Sequence, residues 1–119
     1  MVAREYVPDA GDLIWIDFTP QVGHEQAGRR PGLVLSPSSY NAKTGLAIVC
    51  PLTSRLKGYT FEVELPKSGR IRGAVLSDQL KSLDWRERRA ERGGKVPMAV
   101  MEEVKARLQL LLGIQSSGA

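Results

Sequence analysis

The chain of 119 residues has one cysteine and one histidine, and each scarcity closes off a class of chemistry. Cys50 alone excludes an internal disulfide, and together with His24 it cannot build a Cys/His metal site. A mechanism that uses two histidines as acid and base is impossible within one protomer. No cluster of carboxylates around the histidine suggests a bound metal, so neither a metal nor any other cofactor is expected. No stretch approaches the ~20 apolar residues a membrane span needs, and the first six residues, Met1-Val2-Ala3-Arg4-Glu5-Tyr6, lack the apolar core of a signal peptide. The chain is therefore expected in the cytoplasm, away from membranes. Cys50 closes the apolar run Leu46-Ala47-Ile48-Val49-Cys50 and reads as a small buried hydrophobe.

What is present fits one small domain. Residues 1–114 are expected to fold as a unit, and Gln115-Ser116-Ser117-Gly118-Ala119 reads as a disordered tail. A chain of this size buries somewhat under ~70% of its unfolded surface, which makes dimerisation a natural supplement to a modest core. The net charge is +4, unevenly spread. Residues 1–28 carry one base against five acids, residues 29–95 fourteen bases against six acids, and residues 96–119 two of each. Clustered Lys and Arg in the middle are the footprint of a polyanion partner, and equally of a solvated surface.

Short apolar runs punctuated by Gly, Pro, Asn and Ser predict small antiparallel strands at Gly11 to Phe18, Leu33 to Ser36, Leu46 to Thr53, Phe61 to Leu65 and Gly73 to Ser77. In Phe61-Glu62-Val63-Glu64-Leu65 the alternation puts Phe61, Val63 and Leu65 on the core face and both glutamates in water. Pro66-Lys67-Ser68-Gly69-Arg70 reads as a hairpin turn. The period then changes: Met101, Val104, Leu108, Leu111 and Leu112 recur at helical spacing, with Pro97 ahead of them and Gly113 after, which predicts a helix over 98–112. Shorter helices or turns are expected at Pro37 to Asn41 and Asp84 to Arg88. Strands first and a long helix last make a mainly β protein with α, built as a small barrel.

Two arginines and a carboxylate lie in Glu25-Gln26-Ala27-Gly28-Arg29-Arg30-Pro31-Gly32-Leu33-Val34-Leu35-Ser36, read as a mobile turn running into an apolar strand. Taken with Gly11-Asp12-Leu13-Ile14-Trp15-Ile16-Asp17-Phe18, Cys50-Pro51-Leu52-Thr53-Ser54, Lys57-Gly58-Tyr59-Thr60-Phe61-Glu62-Val63, Leu76-Ser77-Asp78-Gln79-Leu80-Lys81-Ser82 and Trp85-Arg86, the order and spacing of motifs resemble the MazF/PemK family of toxin endoribonucleases over nearly the whole chain. The resemblance implies an SH3-like barrel of the CcdB/PemK type, a homodimer, metal-independent cleavage of single-stranded RNA to 2′,3′-cyclic phosphate and 5′-hydroxyl ends, and a co-expressed acidic, partly disordered antitoxin. It also implies that Arg30, the arginine before the proline, is catalytic, and that Thr53 helps hold the scissile phosphate.

The residues themselves are compatible with those roles and with plainer ones. Pro31 pushes Arg30 toward an extended conformation, from which a guanidinium can grip a phosphate with two parallel hydrogen bonds; adjacent Arg29 and Arg30 are also ordinary loop cations. Thr53 ends a strand, as threonine often does for its β-propensity. An arginine stays protonated at ordinary pH and is a better phosphorane clamp or proton donor than base, which leaves Glu25 as the candidate base or as an ion-pair partner of Arg29 or Arg30. His24 can stack on or hydrogen-bond a base, or stand idle in an exposed loop. Gln79, Lys81 and Ser82 are read as alternating outward from a strand, where the resemblance makes them substrate contacts. The run Arg86, Arg88, Arg89 and Arg92 offers phosphate contacts, Arg86 first among them, or a solvated turn with Glu87 and Glu91. Trp15 and Trp85 can stack on bases, but are read first as packing residues of the core or of a dimer. Two other functions compete: a toxin of the same fold that binds a topoisomerase, as the CcdB branch does, though Gln115 to Ala119 lacks that branch's ending; and a plain nucleic-acid-binding barrel.

Overall fold

The computed structural model describes residues 5–19 and 28–114; the expectations for His24, Glu25 and the tail 115–119 lie outside these. The described chain runs β1 (Asp12–Asp17), β2 (Arg29–Val34), α1 (Ser38–Thr44), β3 (Leu46–Thr53), β4 (Glu62–Glu64), β5 (Ala74–Leu76), a 3₁₀ turn (Ser77–Gln79), β6 (Lys81–Asp84), β7 (Glu91–Lys95) and α2 (Met98–Leu112). The strands form one antiparallel sheet in the order β4-β5-β3-β2-β1-β7, with β6 alongside the first half of β3. The fold is mainly β with a C-terminal helix, as expected. Among the described residues the terminal strands β4 and β7 do not pair, so the barrel is an open sheet with two ends.

β3 is the hub. Leu46 to Val49 pair with β6, Val49 to Pro51 with β2, and Leu52 and Thr53 with β5. Its side chains alternate between two cores. Cys50 and Leu52 join Leu13, Leu33, Val63, Leu65, Val75 and the α2 residues Val100, Met101 and Val104. Ala47 and Val49 join Ile14, Ile16, Phe18, Val34, Leu83 and Trp85 on the opposite side. Burial on both sides is why β3 reads as a nearly continuous apolar run. Cys50 is fully buried, and burial pushes its thiol up to about 12.

The long helix has the bounds its periodicity predicts, with Pro97 at its N-cap and Gly113 closing it in the left-handed region at φ 69°. Its apolar stripe extends past the core: Leu111 and Leu112 are 39% and 55% exposed. Only the first turns of α2, through Val104 and partly buried Leu108, pack on the sheet.

Three expectations require correction. β2 begins at Arg29, so both arginines lie in the strand and no mobile turn carries them. Leu76 to Ser82 is not one strand, because the Ser77 amide and hydroxyl both donate to the Phe61 carbonyl and the chain bends through a 3₁₀ turn before β6. Glu91-Arg92-Gly93-Gly94-Lys95, for which the sequence predicts no strand and whose Glu91 and Arg92 read as part of a solvated turn, is strand β7. It has almost no apolar side chains, and backbone pairing with β1, across a bulge at Leu13/Ile14, holds it.

Gly32 sits where strand packing is tightest. A Cβ there would meet Val49 Cγ1 at 2.6 Å, the end of the Phe18 ring at 2.9 Å and the Cys50 carbonyl oxygen at 3.3 Å. Gly32→Ala is expected to cost about 1–3 kcal/mol by overpacking, read as a lowered midpoint in urea with an unchanged slope; an unaltered midpoint would mean that β2 can move away from β3.

Candidate active site

The β1–β2 ladder sets Arg30 opposite Ile16 and Arg29 opposite Asp17, and β2 lies directly beside β3. Arg30 therefore reaches across toward the C-terminal end of β3, where its Nη1 donates to the Leu52 carbonyl at 3.5 Å. Thr53 is the next residue. It is 7% exposed, and its Oγ1 accepts the Arg55 amide at 3.1 Å. That bond turns the backbone away from the sheet and fixes the hydroxyl at the strand end.

Arg30 and Thr53 share two adjoining clefts. One, of about 360 Å³, is lined by both residues with Trp15, Arg29, Pro31, Leu52, Ser54, Arg70, Ile71 and Arg72. The other, of about 400 Å³, lies between Arg30, Thr53, Ser54, Arg55 and Lys57. A third, of about 370 Å³, continues from Thr53 past Arg55, Lys57, Tyr59, Asp78 and Gln79. Together they make a groove through which Thr53 runs as the common wall, dressed mainly with cations.

On its far side Tyr59 donates to Asp78 Oδ1 at 2.9 Å. Burial first, then the Asp78 carboxylate, pushes the phenol up to about 12, so it stays a donor at neutral pH. Glu62 accepts the amides of Lys57 and Gly58 at 2.9 and 2.7 Å, which holds the segment after β3 in place. Asp17, at the opposite end, is held below the usual carboxylate range by the hydroxyl and amide of Thr19.

The other candidates are placed unequally. Arg29 lines the groove but is tied down: its guanidinium donates to the carbonyls of Arg88 and Arg89 at 3.4 and 2.7 Å and pairs with Glu91 at 3.1 Å. Arg89, at φ 53°, turns these carbonyls inward. Gln79 lies in the groove from the 3₁₀ turn. Lys81 and Ser82 pair opposite Val49 and Ile48, which sets Lys81 four residues, roughly 13 Å, along β3 from Thr53. Arg86 lies past the other end of β3, over the buried Trp85 ring at 4.3 Å and paired with Glu5 at 3.0 Å; within one chain it does not reach the groove. His24 and Glu25 fall outside the described residues. Among the described residues no three His, Cys, Asp or Glu side chains gather as metal ligands would.

Sequence reasoning missed Arg55, Arg70, Arg72, Tyr59 and Asp78 as groove residues, and offered Trp15 only as the lesser, base-stacking alternative to packing. In the structure Trp15 is the one residue of Leu13 to Ile16 that is exposed, at 39%, although in sequence the run is uninterruptedly apolar.

The sequence profile of the PemK-like, MazF-like toxins of type II toxin–antitoxin systems matches residues 9–112. The chain belongs to this family. It is 52% identical over 114 residues to the endoribonuclease toxin MazF of Escherichia coli (strain K12), covering 95% of this chain and 100% of that one. It is 36% identical over 118 residues to the endoribonuclease PemK of Escherichia coli, with 94% and 87% covered. Among solved structures, MazF (Form-I) from Deinococcus radiodurans superposes with a TM-score of 0.90 at 58% identity, over 92% of this chain and 100% of that one. The Form-II MazE–MazF structure from the same organism gives a TM-score of 0.85 at 58% identity, over 93% and 100%.

The Thr53 hydroxyl serves the fold as well as the groove. Thr53→Val is expected to lose about 1 kcal/mol through the unpaired Arg55 amide, whereas Thr53→Ser keeps the bond and most of the stability. Equal urea midpoints for the two variants would show that the Arg55 amide is satisfied elsewhere.

Proposed function

We propose that this family member is a metal-independent, sequence-specific endoribonuclease of single-stranded RNA, an mRNA interferase acting in the cytoplasm, in which Arg30 and Thr53 receive the scissile phosphate. The observation that carries the reading is the shared cleft: a guanidinium and a hydroxyl from neighbouring strands open on one cationic groove. In this reading the ribose 2′-hydroxyl attacks the adjacent phosphorus and the 5′-oxygen leaves. The phosphorane carries its added charge on oxygens facing Arg30, whose two-pronged grip strengthens as that charge develops. The Thr53 hydroxyl donates to a non-bridging oxygen. Glu25 is assigned the proton of the 2′-hydroxyl, Arg30 or a water the protonation of the leaving oxygen, and the products carry a 2′,3′-cyclic phosphate and a 5′-hydroxyl. The step needs only the substrate, the chain and solvent water: the P–O5′ bond breaks as the 2′-oxygen bonds to phosphorus, and the proton taken from the 2′-hydroxyl is balanced by the one given to the 5′-oxygen.

Arg29 and Gln79 flank this centre as substrate contacts, with His24 from the β1–β2 connection and Lys81 and Ser82 farther along; Arg86 is left out, given its distance and its pairing with Glu5. The MazE–MazF complexes of a 58% identical toxin support a cognate antitoxin for this chain, with an acidic segment competing for the groove. The exposed apolar end of α2, Leu110 to Leu112 and Ile114, supports a homodimer. The topoisomerase-binding alternative has no observation behind it.

Arg30→Ala and Thr53→Ala are expected to fold and to lose about a hundredfold in cleavage each, the effect of roughly 3 kcal/mol of transition-state binding. Arg30→Lys is expected to recover little, since lysine keeps the charge without the fork. Near-normal cleavage by Arg30→Ala would remove the assignment. Separately, cleavage is expected to persist in EDTA and to stop on RNA carrying 2′-deoxyribose at the cut position; 3′-hydroxyl and 5′-phosphate ends would contradict the mechanism.

A further inference from the structure

The connection between β4 and β5 carries Arg70-Ile71-Arg72-Gly73, and two contacts pin it beside Thr53. Gly73 lies on the end of β3: at φ 119°, a Cβ on it would meet the Thr53 carbonyl oxygen at 2.2 Å and the Ser54 Cα at 3.5 Å. The Gly73 carbonyl accepts the Leu65 amide at 2.9 Å, and Ala74 pairs directly with Thr53. Two residues earlier, Ile71 packs on the opposite wall, where its Cδ1 lies 2.9 Å and the Trp15 ring 3.2 Å from the position of a Cβ on Gly93. The segment thus spans the cleft from Thr53 to Trp15.

Arg70 and Arg72 flank Ile71, both are exposed, and both line the cleft that holds Arg30 and Thr53. Among the described residues neither makes an ion pair or a side-chain hydrogen bond. Glu91, opposite Trp15 in the β1–β7 ladder, is already paired with Arg29. Two guanidinium groups without a carboxylate partner among the described residues, beside a half-exposed indole, form a lobe of the groove distinct from the cleft of Arg55 and Lys57. Stacking on an aromatic face and ion pairing with backbone phosphate are how proteins hold an unpaired nucleotide.

We propose that Trp15, Arg70 and Arg72 form a subsite for a nucleotide flanking the scissile phosphate, its base stacked on the Trp15 indole and its phosphate held by the two arginines. This rests on the nuclease reading above. The ligand is single-stranded nucleic acid of any base at this position, because the groups named recognise a π-face and a phosphate and carry no base-edge code.

The test uses the full chain and a labelled single-stranded RNA with 2′-deoxyribose at the mapped cut position, followed by fluorescence anisotropy, with cleavage of the unmodified RNA measured alongside. Arg70→Ala/Arg72→Ala is expected to weaken binding about tenfold at low salt and to make the log–log salt dependence shallower by about 0.7 to 1.4, the yield of one or two lost phosphate contacts on a single strand. The loss falls on KM rather than kcat. Trp15→Phe, which keeps an aromatic face, is expected to bind more tightly than Trp15→Ala. Lys105→Ala, which removes a cation from α2, serves as the charge control and moves neither quantity. A double variant with wild-type affinity and salt slope overturns the subsite while leaving cleavage by Arg30 and Thr53 standing. Unchanged RNA binding with lost affinity for a polyglutamate peptide also overturns it, and gives the arginines to a protein partner. A wild-type protein that binds single-stranded RNA but leaves the unmodified, all-ribose RNA uncut overturns the nuclease reading instead.

Discussion

Burial of β3 on both sides is the constraint on which the rest of the molecule depends. One eight-residue strand pairs with β2, β5 and β6, and its alternate side chains feed two cores. Such a strand cannot slip by one residue without exchanging Val49 for Cys50 between cores, so its register is fixed and its last residue has a fixed place. Thr53 inherits that rigidity. Arg30 inherits it at one remove, since Gly32 and Leu33 are locked against Pro51 and Cys50.

The groove combines this rigid wall with softer sides. On one side Glu62 ties down the amides of Lys57 and Gly58; on the other Arg29 is bound to the carbonyls of Arg88 and Arg89. Arg29 therefore joins β2 to the turn ahead of β7 across the intervening β1, a structural task that competes with direct service to a substrate. Arg30, one residue along, points to the other face of the strand and toward Leu52. The division of labour between adjacent arginines follows from the period of a β-strand.

Much of this was legible in the sequence wherever packing dominates. The bounds of β3 and α2 follow from apolar period and from Pro97 and Gly113, whereas the placing of Arg30 and Thr53 at one cleft was implied by the family resemblance and not by the residues themselves. Legibility ended where backbone bonds or distant partners decide. β7 hides because glycines and charges give no period, and its hold is a ladder to β1. The 3₁₀ turn after β5 depends on Ser77 finding the Phe61 carbonyl sixteen residues away. Arg86 looks like its neighbours in sequence, and only the Trp85 ring and Glu5 show where it rests. Arg70 ends a segment that reads as a plain hairpin turn and Arg72 falls between that turn and the next expected strand, and Gly73 brings both to the cleft.

The pinning of the β4–β5 connection also decides which of its positions can be altered. Ile71 and Gly73 are committed to contacts with Gly93, Trp15 and Thr53, whereas positions 70 and 72 touch little besides solvent. Committed and uncommitted positions alternate along four residues next to the cleft of Arg30 and Thr53. Substitutions at 70 and 72 are therefore expected to be nearly silent for folding, so the charge at this edge of the groove can be changed without disturbing the scaffold or the cleft that Arg30 and Thr53 line.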